Sequence, residues 1–295
     1  MVTRAEVLRN AGRYVTVQGW APLVDEHVFS ASNPDHTFHS IYTRGSEYDT
    51  FPYCYGGNDS VTGFLNRVQN STCPGGRDRC PQNGHTFRRR GTKHWYDSPP
   101  EGLGYGYRVP RNLAGIDCSA FVSRCWGIAR RNTVALSRMC LQIERSELRS
   151  GDILNWSGHH VRIFEEWSGL RMRVYEASGS YGRVVHHDVD WDDRYTPMSP
   201  FPQFRLLRPA TTPVSSPAPV FEVEIRGSGD VNVVDAVFEN MSVNVRVSGT
   251  GPVRVSWTPG QALRPGRYTL TLRALNRVAG QSFVDERSYD FIVDF

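Results

Sequence analysis

Residues 209 to 220, PATTPVSSPAPV, consist almost wholly of proline, serine, threonine and alanine, with almost no side chain that a core can use. A stretch of that composition stays solvated, so the chain has to fold as separate bodies on either side of it. At 295 residues there is room for one sizeable domain and a small one, 1–208 and 221–295.

In the smaller body, Phe221 to Ile225, Val243 to Ser248, Val253 to Trp257, Tyr268 to Leu272 and Tyr289 to Val293 alternate apolar and polar residues. Turn signals separate these runs, which predicts an all-β, immunoglobulin-like sandwich. Trp257, Tyr268 and Tyr289 fall on its apolar positions and read as core aromatics rather than as a ligand platform. The larger body opens with an amphipathic helix from Thr3 to Tyr14, Thr3 serving as cap. A looped region crowded with Gly, Pro, Asn, Asp and Arg follows, with an insertion at about 58–114. From Gly115 to Gly127 the apolar positions 118, 121, 122, 125 and 126 recur at helical spacing and predict a buried helix with a polar start. Short β-like runs at 152–154, 160–164, 172–176 and 183–185 then predict an antiparallel sheet packed on that helix.

A net charge of +4 that rests on arginine, with Lys93 the single lysine, gives a mildly basic face suited to an anionic polymer. The densest run, Arg88 to Arg90, is too short to argue for nucleic acid and reads as a solvated loop. No apolar stretch approaches the roughly 18 residues that a membrane span needs, and MVTRAEVLRNAG lacks the apolar centre of a secretory signal. Cysteines at 54, 73, 80, 118, 125 and 140 show no repeated C-x-x-C pair. Cys73 and Cys80 admit three readings: a disulfide, free thiols, or an irregular zinc site completed by His85. Cys125 lies about 10 Å along the helix from Cys118, too far for a bridge between them.

Chemistry concentrates around Cys118. A cysteine in the first turn of a helix sits where unpaired backbone N–H groups favour a thiolate, although such a residue taken alone is usually just a small buried side chain. His160 opens the run Val161, Arg162, Ile163, Phe164, which fixes its direction and offers an imidazole as base. A histidine at a strand end is otherwise an ordinary polar surface residue. His159, His186 and His187 are the alternatives, and the register of the apolar run favours His160. Glu176, in Val174 to Ser178, is the best group to orient the imidazole, with Ser178 in reserve; its plain reading is an exposed strand carboxylate.

Several segments together resemble, in order, the NlpC-type papain-like peptidases of bacterial cell walls. Pro52-Tyr53-Cys54-Tyr55-Gly56-Gly57 is similar to their aromatic and glycine motif and Asp117-Cys118-Ser119 to their nucleophile motif. Gly151-Asp152-Ile153 followed by His160 to Phe164 is similar to their histidine strand. The resemblance spans roughly residues 3 to 208 and implies an α+β papain-like catalytic domain. It also implies that Cys118 attacks a carbonyl, His160 acts as base and then acid, Tyr55 lines the pocket, and Asp117 and Ser119 contact the amino end of a stem peptide. Asp117 equally reads as a helix cap. Departures are Glu176 where histidine or another polar residue is usual, Ala120 and Arg162 in place of common glycines, and the length of the loop after Gly57.

On that basis the expected activity is peptidoglycan hydrolysis by a cysteine endopeptidase, at the γ-D-glutamyl bond, with no cofactor. The alternatives are an N-acetylmuramoyl-L-alanine amidase or another papain-like acyltransferase, and an inactive wall-binding or adhesion protein. The expected location is secreted or in the cell envelope, and a delivered antibacterial toxin is compatible with the same chemistry.

Overall fold

The computed structural model describes residues 1–28, 37–75, 87–88, 95–96, 113–208, 218–249 and 252–294. Cys80, His85, Arg89, Arg90 and residues 209–217 of the linker lie outside them. The α+β papain-like expectation is overturned, because the fold is mostly β, 44% strand against 17% helix, with four helices and several sheets among the described residues. Helices are short for local reasons. The nucleophile helix, predicted from Gly115 to Gly127, covers only Cys118–Cys125 and closes at Trp126, with Gly127 at φ 65 as a left-handed stop.

Backbone contacts divide the chain into two units. One comprises Ala5–Leu136 and Leu148–Pro197; the other gathers Met1–Arg4, Ser137–Glu147 and Met198–Phe295. The second unit therefore begins ahead of the proline-rich linker and draws on segments distant in sequence.

In the first unit, helix α1 (Arg4–Val15) buries Val7, Ala11 and Tyr14, the last packing edge-on against Phe51 and Phe121 at 4.8 and 5.4 Å. Helix α2 (Val61–Gln69) starts at Ser60, whose hydroxyl accepts from the Gly63 N–H, and buries Phe64 and Val68. Helix α3 is Cys118–Cys125, and α4 is Thr133–Met139. Four strands form an antiparallel array in the order β4-β3-β2-β1: β1 (Ile153–Trp156), β2 (His160–Ser168), β3 (Arg171–Ser178) and β4 (Arg183–Val189). Helix α3 packs against β2 and β3. Phe121, Val122, Ile153, Val161, Ile163 and Ala177 are fully buried there, and each large apolar side chain so buried contributes roughly 1.5–3 kcal/mol.

The second unit has two sheets whose inner faces share a core. One pairs Gln203–Arg208, Phe221–Arg226, Val253–Trp257 and Arg246–Ser248. The other runs Val2–Thr3, Gln281–Val293, Gly266–Val278, Asp230–Phe238 and Met241–Ser242. Val223, Ile225, Val253 and Val255 from the first meet Ala236, Leu272 and Ala274 from the second. Phe221 and Trp257 likewise meet Phe238, Leu270 and Phe291. Val2 and Thr3 lie parallel to Phe283 and Val284, and Arg4 Nε donates to Asp285 Oδ2 at 2.9 Å beside them.

Candidate active site

The segment Pro52 to Asn58 crosses the approach to α3 at very close range. Cys54 N–H donates to Ile116 C=O at 3.0 Å, Ile116 N–H to Pro52 C=O at 3.1 Å and Asp117 N–H to Gly57 C=O at 3.1 Å. Only glycine fits the crossing, because a Cβ on Gly57 would stand 2.4 Å from the Gly115 carbonyl oxygen. Gly115 itself has φ 144 and a Cβ there would stand 2.7 Å from the Pro52 carbonyl oxygen. Asp59 reinforces the junction by accepting from Gly115 N–H at 2.8 Å and from Arg67 Nη1 at 2.8 Å. The glycines of the aromatic and glycine motif therefore serve to hold the start of the Cys118 helix.

Asp117 caps that helix. Its Oδ1 accepts from the Ala120 N–H at 2.7 Å and from Ser119 Oγ at 3.1 Å, while Oδ2 accepts from the Gly56 N–H at 3.0 Å and from Arg130 Nη2. Loss of such a cap costs about 1 kcal/mol. Cys118 follows as the first helical residue, 7% exposed and a free thiol. Tyr53 is buried beside it: burial first, then the charges of Cys118 and Asp117, push its phenol well above the ordinary value. Its ring packs over Gly179, where a Cβ would lie 3.4 Å from Cε1. Tyr55 sits half-buried in the turn before Gly56, and Ser119 is buried with its hydroxyl spent on Asp117.

From the sheet, His160 opens β2 and comes near enough to Cys118 for the thiol to act on its imidazole. The other side of the ring meets Glu176, His160 Nε2 lying 2.5 Å from Glu176 Oε2. An ionised carboxylate only accepts, so Nε2 carries the proton and Nδ1 is left for the sulfur. Alternation along the strands explains the meeting. Val161, Ile163, Tyr175 and Ala177 point to one face, which places His160, Arg162 and Glu176 on the other.

Glu176 is 2% exposed and gripped from three directions. Besides His160, Arg162 Nε donates to Oε2 at 2.8 Å, and His187 Nε2 on β4 donates to Oε1 at 2.9 Å. Burial pushes its carboxyl up, but the hydrogen bonds from His160 and His187 and the charges of His160 and Arg162 outweigh that and hold it well below the usual carboxylate range. For His160, burial works against the imidazolium; the charge and hydrogen bond of Cys118, followed by those of Glu176, prevail and push it up to about 9. Arg162 also lies over the Tyr195 ring, 4.4 Å from its centroid. The two departures at 162 and 176 are thus partners: a buried glutamate and the arginine that neutralises it.

The alternatives to His160 are engaged elsewhere. His159 is exposed and stacks on Trp156 at 4.3 Å. On the opposite face from Glu176, His186 Nε2 lies 2.6 Å from Glu165 Oε2, stacks on Tyr175 at 4.0 Å, and shares Glu165 with the Tyr175 hydroxyl at 3.2 Å. Ser178, the reserve orienter, is buried two residues beyond Glu176. Arg130 and Tyr53 were not singled out by sequence as site residues, and His187, weighed only as an alternative base, is instead a partner of Glu176. The one available signal was His187, whose alternation with Val185 puts it on the Glu176 face.

Cys73 is a free, buried thiol beside Cys54 and Leu113, and burial, with Asp25 and Cys54 nearby, pushes it up to about 12. Among the described residues no cluster of three or more His, Cys, Asp or Glu side chains is arranged to hold a metal, and no helix is long and apolar enough to cross a membrane. No protein-family model matches the chain, and no curated protein is significantly similar to it.

Proposed function

We propose that the chain is a cysteine hydrolase that cleaves an amide bond in bacterial cell-wall peptide. The observation that carries this reading is a single imidazole, His160, on which the Cys118 thiol acts and which stands 2.5 Å from the buried Glu176 carboxylate. The wall peptide as substrate is supported by the ordered resemblance of the three sequence segments to NlpC-type peptidases.

In this reading the Cys118 thiolate adds to the carbonyl carbon and an electron pair moves onto the carbonyl oxygen. Collapse breaks the C–N bond while the imidazolium of His160 gives its Nδ1 proton to the leaving nitrogen, leaving a thioester. Water then adds, losing its proton to His160, and expels the sulfur to release a carboxylic acid. Glu176 holds the ring in the productive tautomer and stabilises its charge, and Arg162 and His187 keep that carboxylate ionised and in place. The bond cleaved is that of a D,L-endopeptidase, the γ-D-glutamyl bond. The second reading is an amidase acting at the N-acetylmuramoyl-L-alanine linkage, and the saturated carboxylate of Asp117 favours it. The expected setting is the cell envelope or beyond it, including delivery as a toxin.

Mass spectrometry of purified sacculi digested with the protein tests this reading. New peptide termini released by the wild type and absent with Cys118→Ala are the expected result. Equal release by both would overturn it.

A further inference from the structure

Asp117 stands next to the nucleophile, where a carboxylate could anchor the ammonium group of a substrate and so place the adjacent amide. Its surroundings leave no capacity for that task. A carboxylate offers about four lone-pair positions, and the four donors on Asp117 are the Ala120 N–H and the Ser119 hydroxyl on Oδ1 and the Gly56 N–H and Arg130 on Oδ2. The side chain is 9% exposed, and the Arg130 guanidinium beside it cancels its charge. An incoming ammonium group would have to displace a helix cap, a backbone donor or an ion pair, and would meet a cation while doing so. Ser119 gives no independent anchor, because it is 5% exposed and its single proton is committed to Asp117.

We infer that this hydrolase does not select a free amino terminus: the residue on the amino side of the cleaved bond is itself acylated or internal to a longer chain. The inference rests on the cysteine-hydrolase reading above and narrows its substrate class. Asp117 acts as a positioning residue, fixing the first turn of α3 and therefore the sulfur. Arg130 completes the set of donors on Asp117.

The test uses the full chain and two soluble stem peptides that differ only in N-terminal acetylation. Acetylation is expected to change kcat/KM by less than about threefold. Asp117→Asn keeps an acceptor for the cap and removes the charge, so it should lower kcat on both peptides by the same factor, with their kcat/KM ratio unchanged. A preference for the free amine of about a hundredfold or more that collapses in Asp117→Asn would show that the carboxylate binds ammonium, and would overturn the inference. Cys118→Ala separates this failure from the other: cleavage persisting in that variant overturns the hydrolase reading and the inference with it. A cysteine-dependent free-amine preference removes the inference alone.

Discussion

Two histidine–glutamate couples are built from the same three strands and lie on opposite faces of one sheet. His160 and Glu176 approach to 2.5 Å, His186 and Glu165 to 2.6 Å, so distance does not distinguish them. Surroundings do. Glu176 is 2% exposed with two further cationic or N–H partners, whereas the Glu165 side chain is 20% exposed and its remaining contact is a tyrosine hydroxyl. Only the first couple has a thiol acting on its imidazole, and there the histidine is pushed up to about 9. A histidine–carboxylate contact is ordinary sheet chemistry. Burial and a neighbouring thiol are what set the first couple apart, and they are why the proposed chemistry is assigned to it.

That contrast can be broken from its strongest end. Cys118→Ala is expected to lower amide hydrolysis by about 10⁴-fold or more while circular dichroism stays native; full activity would leave both couples merely structural. Glu176→Gln should reduce kcat by about 10³-fold with a much smaller change in KM. An unchanged rate would transfer the orienting role to Ser178 or another group. The pH profile is the next most sensitive probe. A raised histidine value means that the imidazolium is present below about 9 and is lost as the pH climbs through it, so kcat/KM should fall there, approaching tenfold per pH unit. A rate still rising beyond that point would place the controlling ionisation elsewhere. Glu165→Gln should change kcat by less than about threefold and stability by no more than about 1 kcal/mol, as for a partly exposed pair. A loss there comparable to that of Glu176→Gln would end the comparison.

Much of the site was legible because strand alternation has a strict period. The buried run Val161, Ile163 and Phe164 sets the direction of β2, and the same rule applied to β3 brings Glu176 opposite Arg162. The cap was legible too, since an aspartate before an apolar helix is a strong local signal. The role of Arg130 was not, because it has no local pattern, and His187 was read only as an alternative base: their partners lie 13 and 11 residues away and depend on how the chain folds back. The fold class was misread for a related reason. The resemblance supplied an α+β frame, but Gly127 ends α3 after two turns and strand formation dominates the rest. Asp230–Phe238 escaped notice because Asp230, Asn232 and Asp235 are poor strand formers, and a bulge between Val233 and Asp235 interrupts its alternation.

The pairing of Val2 and Thr3 with Phe283 and Val284 carries a consequence for biosynthesis. During synthesis Val2 and Thr3 leave the ribosome long before Phe283 and Val284, so this strand waits unpaired until they arrive. Closing that pairing carries a high loop-closure cost, and slowed elongation ahead of Phe283 would prolong the interval in which the edge is open to other chains.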